Sequence, residues 1–277
     1  MAEDRSRGGP RPPVTRDRRR PRSRSSTSRS GSAASRSGSA ASRSRSGDAV
    51  SPAGGGDPAV RRIQRGYAAW ARVYDWFARA TTSVGGVRAD CVRALDLAPG
   101  DTVVEFGCGP GVNVPALRDA VGPTGHVVGV DITGAMLDRA RALAERRGWE
   151  NVEFVQGDAA DPPICSADAV LATFVTSLFP DPYAVVAHWC DVADSVLVAA
   201  FAPRGSRPAN AALSAFARLN GRLFDANGGD PLAQLDARTE AAQRALADEM
   251  RTVREERYLF GTITVCAGHR RAGDRQE

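Results

Sequence analysis

The chain has 277 residues, and its 37 basic side chains, all arginine, stand against 32 acids for a formal net charge of +5. Thirteen of the arginines but only five of the acids fall in residues 1–60, so the positive charge belongs to that stretch and the remainder is mildly acidic. The five cysteines (Cys91, Cys108, Cys165, Cys190, Cys266) form no C-x-x-C pair, which argues against a disulfide framework or zinc site and suits the reduced thiols of a cytoplasmic protein.

Residues 1–60 read as a disordered Arg/Ser-rich tail. Ser28–Ala34 (SRSGSAA) recurs letter for letter at Ser35–Ala41, and no apolar residue larger than alanine occupies that seven-residue period, so it is not a coiled coil. Such a stretch cannot hide enough apolar surface to offset the entropy of ordering it. Its charge could meet nucleic acid or anionic lipid, but a simply solvated tail is the preferred reading. No apolar stretch follows the arginines as in a secretory signal, and no run of about 18 apolar residues predicts a transmembrane helix.

Residues 61–277 read as one domain. Tyr67–Arg79 is aromatic-rich at helical spacing, with Tyr67, Trp70, Tyr74 and Phe77 at three- and four-residue steps. A second helix is predicted over Val87–Leu97, and Pro99-Gly100 is a turn. Strands are predicted near 102–106, 126–131, 152–156, 167–173 and 194–201, alternating with helices near 111–120, 134–147 and 181–192. Thr133 and Asp181 suit N-caps. Met136, Leu137, Ala140, Leu143 and Ala144 form an apolar stripe. Apolar strands alternating with helices predict a parallel sheet covered on both faces. Two further helices, about 208–224 and 231–249, flank a loop at Asn227–Pro231. Val253–Leu259 and Thr262–Ala267 close the chain as two alternating strands.

The chemistry concentrates in Val103-Val104-Glu105-Phe106-Gly107-Cys108-Gly109-Pro110-Gly111. An apolar strand ends in an acid, then glycine occupies every second position at the start of a helix. Glycine lets main chain approach a ligand closely. Asp131, at the end of the next strand, has the spacing of an acid that receives a ribose diol. A nucleoside-bearing cofactor follows from these features. The dinucleotide pattern G-x-G-x-x-G would need glycine where Val112 stands. A buried carboxylate at Glu105 would repel a pyrophosphate, yet it suits a ligand bearing an ammonium or sulfonium.

Val103–Gly111 resembles the first motif of the class I S-adenosylmethionine-dependent methyltransferases. Val128–Thr133 resembles that family's ribose-binding strand end, Asn151–Ala159 its adenine-binding stretch and Ala167–Thr173 its fourth strand. The resemblance implies an α/β, Rossmann-like, seven-stranded and mostly parallel sheet with helices on both faces and an antiparallel last strand. It implies S-adenosyl-L-methionine as cofactor and no metal. Gly107, Gly109 and Gly111 would pass under its methionine and ribose, with Cys108 inside the loop able to touch it. Glu105 would hold the loop or, through water, the ammonium; most relatives carry Asp there. Asp131 would accept both ribose hydroxyls. Ile132 and Met136 would flank the adenine, Met136 serving equally as core. Asp158 would accept the adenine amino group, or else be a turn residue, with the Ala159 amide facing the ring. A carbonyl at Ala172 or Thr173 would meet the ammonium. Tyr74 would close over the methionine end, or else pack as an aromatic.

The most similar branch resembles the ubiquinone/menaquinone-biosynthesis methyltransferases, on Tyr74-Asp75 and the terminal stretch Gly261–Arg270. It implies a small, apolar methyl acceptor such as a lipid or quinone precursor. A nucleic-acid methyltransferase using the arginine tail, or a cofactor-binding regulator without chemistry, are the alternatives. The Asn/Asp-Pro-Pro-aromatic motif of amino-methylating nucleic-acid enzymes is missing after the fourth strand; Asp161-Pro162-Pro163-Ile164 precedes that strand and reads as a loop. The run Phe174–Phe179 is an apolar acceptor wall or core. His126 and His188 receive no catalytic role, and His269 is expected to be exposed. No general base is assigned.

Overall fold

The computed structural model describes residues 86–219 and 230–270. The tail, the aromatic helix expected over Tyr67–Arg79, and with it Tyr74, lie outside the described residues. The valine-rich segments form one sheet. β1 (Thr102–Phe106), β2 (His126–Asp131), β3 (Val152–Gln156), β4 (Ala167–Thr173) and β5 (Ala193–Phe201) run parallel. β7 (Ile263–His269) pairs antiparallel with β5, and β6 (Thr252–Tyr258) pairs antiparallel with β7. The order β3-β2-β1-β4-β5-β7-β6 is the Rossmann-like seven-stranded sheet that the resemblance implied. β6 forms one edge and is exposed along nearly its whole length; Arg254, Glu255, Glu256 and Arg257 there discourage pairing with another chain.

The described helices are α1 (Val87–Ala94), α2 (Val114–Val121), α3 (Gly134–Arg147), α4 (Pro182–Val192), α5 (Arg207–Leu219) and α6 (Pro231–Glu249). α1 ends three residues before the expected Leu97 because Leu95 buries in the core and Asp96 turns the chain through a left-handed φ of 54°. α2 starts three residues after the expected 111. The glycine loop occupies the intervening positions, and Pro115 in the first turn suits a helix start. Asp181 caps α4 by accepting the Ala184 amide at 3.1 Å, as expected. Thr133 sits at the head of α3 but makes no side-chain capping bond. Met136, Leu137, Ala140 and Ala144 bury as one stripe of α3, whereas Leu143 is half-buried. Among the described residues no helix is long and apolar enough to cross a membrane.

Alternation along β1 divides the core in two. Val104 and Phe106 join Val170, Val186, Trp189 and Leu246 on the face covered by α4 and α6. Val103 joins Val87, Leu95, Leu117 and Leu171 on the face covered by α1 and α2. With a two-residue period, Glu105 shares the face of Val103 and therefore looks toward α1 and α2. Trp189 ties the opposite face together. It stacks on Phe106 with centroids 5.1 Å apart, meets Phe179 edge-on at 5.8 Å, and donates its indole N–H to the Ala159 carbonyl at 2.8 Å.

Gly129, in the middle of β2, is where the sheet meets the glycine loop most closely. A Cβ there would lie 2.8 Å from both Cys108 Sγ and Phe154 Cδ1. Overpacking of this kind costs about 1–3 kcal/mol. Gly129→Ala is expected to lower the urea midpoint accordingly; an unchanged midpoint would mean that the Cys108 loop yields at no cost.

Candidate functional site

The sheet order reverses between β1 and β4, so their following loops leave in opposite directions and open a crevice at the carboxyl ends of the strands. The glycine loop lies there. It is suspended from β2: the amides of Gly107 and Cys108 donate to the Val130 carbonyl at 2.8 and 3.2 Å, and the Gly109 amide donates to Asp131 Oδ2 at 2.9 Å. Gly107, Gly109 and Gly111 all hold positive φ. At Gly107 the reason is also spatial, since a Cβ would lie 2.9 Å from a Val175 methyl group. Asp131 takes the Thr133 amide on its other oxygen at 2.8 Å. Burial pushes the Asp131 carboxyl above the ordinary carboxylate range, against the amides of Thr133 and Gly109 that favour its charge.

Beneath the loop lies a fully buried polar group. Glu105 is 1% exposed, and its Oε1 accepts from Asn113 Nδ2 at 2.6 Å. The same Nδ2 reaches Thr173 Oγ1 at 3.2 Å, while Asn113 Oδ1 accepts from Arg88 Nη1 at 2.7 Å. Thr173 is placed for this by the alternation of β4, which sets it on the face of Leu171. Arg88 reaches in from α1 with its guanidinium 5.7 Å from the Phe174 ring centroid. Among the described residues Glu105 Oε2 has no hydrogen-bond partner. Burial pushes the Glu105 carboxyl up to about 8, opposed by the Asn113 hydrogen bond and the Arg88 charge and reinforced by Asp131.

The remaining expected site residues follow the same strand ends. Ile132 is half-buried after β2, its carbonyl accepting from Gln156 Nε2 at 3.0 Å. Met136 is buried in α3. Asp158 is half-buried just past β3, and its Oδ1 accepts the Ala160 amide at 2.9 Å in a local turn; buried Ala159 beside it is anchored by Trp189. The Cys108 thiol packs over Gly129, and burial raises it well above its ordinary value. Phe174, whose φ is 60°, stacks on Phe201 at 4.6 Å, and Phe179 packs on Trp189, so both rings of the apolar run are engaged in packing. His126 and His269 sit at the opposite end of the sheet. His269 is half-buried rather than exposed, with Nδ1 3.0 Å from Ser195 Oγ, because β7 pairs it directly with Ser195.

The methyltransferase domain family matches residues 103–194, the stretch from β1 to the start of β5. A phosphatidylethanolamine N-methyltransferase from Cereibacter sphaeroides is 33% identical over 168 residues, covering 58% of this chain and 78% of that protein. The chain belongs to the class I S-adenosylmethionine-dependent methyltransferases. A nocamycin O-methyltransferase from Saccharothrix syringae is 39% identical over 124 residues, covering 43% of this chain and 42% of that protein. The chain spans less than half the length of the first curated relatives it matches. An O-methyltransferase family protein from Burkholderia thailandensis shares the fold, with a TM-score of 0.51 and 17% identity over 77% of this chain and 60% of that one.

The residues gathered at this crevice fit an adenosyl sulfonium. When ionised, the unmatched Glu105 oxygen asks for a cationic or hydrogen-bond-donating partner, since an unsatisfied buried acceptor costs about 1–3 kcal/mol. The side-chain-free loop gives close main-chain approach, and the head of α2 supplies amides for a carboxylate. Two residues of the network went unread in the sequence: Asn113, whose one signal was its place two residues past the last glycine, and Arg88, one of two arginines on α1.

Folding raises the Glu105 pKa from 4.5 to about 8, so the folded chain holds this proton more tightly than the unfolded chain. The associated stability is complete below pH 4.5 and is lost as pH rises through 8. Glu105→Gln, neutral throughout, is expected to flatten that slope and to exceed the parent's stability at pH 9 by about 1 kcal/mol or more. Parallel pH profiles of the two proteins in urea unfolding would refute it.

Proposed function

We propose that this chain transfers the methyl group of S-adenosyl-L-methionine to a small apolar acceptor such as a lipid or quinone precursor. The observation that supports cofactor binding most is the gathering of the glycine loop, Glu105 and Asp131 at one switch point, with Asp131 itself fastening the loop. When bound, S-adenosyl-L-methionine supplies an electrophilic methyl group and departs as a neutral thioether.

The chain's residues have to bind and align. Asp131 offers its remaining lone pairs to the ribose hydroxyls beside the amides of Gly109 and Thr133. Glu105 and a carbonyl at Ala172 or Thr173 face the ammonium, and the loop amides at the head of α2 face the methionine carboxylate. Asp158 and the Ala159 amide receive the adenine between Ile132 and Met136. Cys108 contributes main chain to the loop. Holding a nucleophile about 3–3.5 Å from the methyl carbon in a site with little water supplies much of the rate. A base is required only where the acceptor atom must lose a proton.

The apolar acceptor is supported by similarity to the phosphatidylethanolamine N-methyltransferase. Incubating the full chain and S-adenosylmethionine, labelled at the methyl group, with fractionated cell extract is expected to place label in an organic-soluble product. Label confined to nucleic acid or protein would overturn the acceptor class, and no label in any fraction would overturn catalysis.

Charge-assisted hydrogen bonds are worth roughly 1.5–3 kcal/mol. Asp131→Ala, verified as folded by circular dichroism, is therefore expected to weaken S-adenosylmethionine binding about tenfold or more by calorimetry; unchanged affinity would remove Asp131 from the ribose.

A further inference from the structure

The chain Arg88–Asn113–Glu105 is directional. Arg88 can only donate, so the Asn113 oxygen must face it, and the Asn113 amide nitrogen must then face Glu105 Oε1 and Thr173. A donor at Oε1 makes that oxygen an acceptor. A proton on this carboxyl therefore resides on Oε2, the oxygen without a partner among the described residues. All three side chains are buried, at 7% exposure for Arg88, 2% for Asn113 and 1% for Glu105. The groups facing Glu105 are Arg88 and the Cys91 thiol from α1, Asn113 from the head of α2, Cys108 from the loop, Asp131 from β2 and Thr173 from β4. Arg88 is the one cation among them, and it acts through the neutral Asn113 amide, polarising that amide toward the carboxyl.

We propose that Arg88 and Asn113 are positioning residues that hold Glu105 with its buried Oε2 left unpartnered, and that docking of the cofactor's ammonium ionises Glu105 and releases one proton to solvent. This rests on the cofactor reading above. The step balances without a co-reactant: the Oε2–H bond breaks, its electron pair stays on the carboxylate, the proton passes to buffer, and the ligand's ammonium keeps its own protons and supplies the counter-charge. The burial that keeps Glu105 protonated in the free chain is thereby offset only by a ligand with a cation at that position. The site reads the amino-acid end of its cofactor as well as the nucleoside.

The test is calorimetric titration of the full chain with S-adenosylmethionine and, separately, with adenosine, in buffers of differing ionisation enthalpy. The dependence of heat on buffer counts protons released. About one proton is expected from the parent near pH 6–7, falling toward none by pH 9 as Glu105 becomes ionised before binding. Adenosine, which lacks the ammonium, is expected to release none. Subtracting the Glu105→Gln titration removes the ligand amine's own contribution. Arg88→Gln is expected to move the profile upward by about one pH unit, with Arg88→Lys restoring it, a shift that a merely structural role would not give. Measurable binding with no buffer dependence would overturn proton release while leaving the cofactor assignment standing. Absence of binding would overturn that assignment and this inference with it. An unmoved profile in Arg88→Gln would overturn the positioning role.

Discussion

A carboxyl group inside a β-sheet has to be held there, and the parts of this molecule nearest Glu105 are arranged around that need. The neighbouring positions on β1 are valine and phenylalanine, fully buried on both faces. Glu105 replaces one of these with a group whose ionised form is strongly penalised in that surrounding. Arg88 supplies the nearest positive charge but does not make the direct contact; Asn113 stands between them. An ion pair would neutralise Glu105 permanently, whereas an amide steadies one oxygen and leaves the other for a ligand. The protein thus keeps a polar group in its core with one oxygen unpartnered among the described residues.

The same economy of contacts governs the loop above. Its main chain hangs from β2 by the Val130 carbonyl and the Asp131 carboxylate, so the acid proposed for the ribose also shapes the glycine loop. Gly129 then has to be glycine because the loop's Cys108 thiol and Phe154 occupy the space above it. On the far side, Trp189 fixes Ala159 and thereby the stretch past β3. Three strand ends are set relative to one another by a few long-range bonds rather than by the loops' own stiffness.

What was legible in the sequence follows from repetition. Val103, Val127 and Val170 lie in runs whose two-residue alternation and apolar density define buried parallel strands, and the strand boundaries read from them agree with the structure to within a residue through β5. The helix edges shifted where a single residue decided them: Asp96 turning the chain early, the glycine loop delaying α2. Glu105 and Asp131 stood out as acids ending apolar runs. Asn113 and Arg88 did not, because nothing periodic marks an isolated polar residue whose partner lies on another element, 25 positions away in the case of this pair. His269 was misread as exposed for the same reason, since its burial comes from pairing with β5, which no local pattern carries.

The sheet divides its work across the switch point. β1 and β2 with their loops carry the polar cradle, whereas the segments after β4 and β5 carry rings. Phe174 leaves β4 in a left-handed conformation that costs a non-glycine residue of order 1–3 kcal/mol, and its amide donates to the Ala199 carbonyl at 2.7 Å. The strain is held by the ring stacked on Phe201 and by the Arg88 guanidinium near its face. Arg88 therefore touches both halves: one nitrogen steadies the amide that serves Glu105, and the cation rests against the Phe174 ring at the end of β4. A displacement of α1 would disturb the Asn113–Glu105 contact and the Phe174 turn together, which makes this arginine, rather than any glycine of the loop, the point where the two halves of the crevice are coupled.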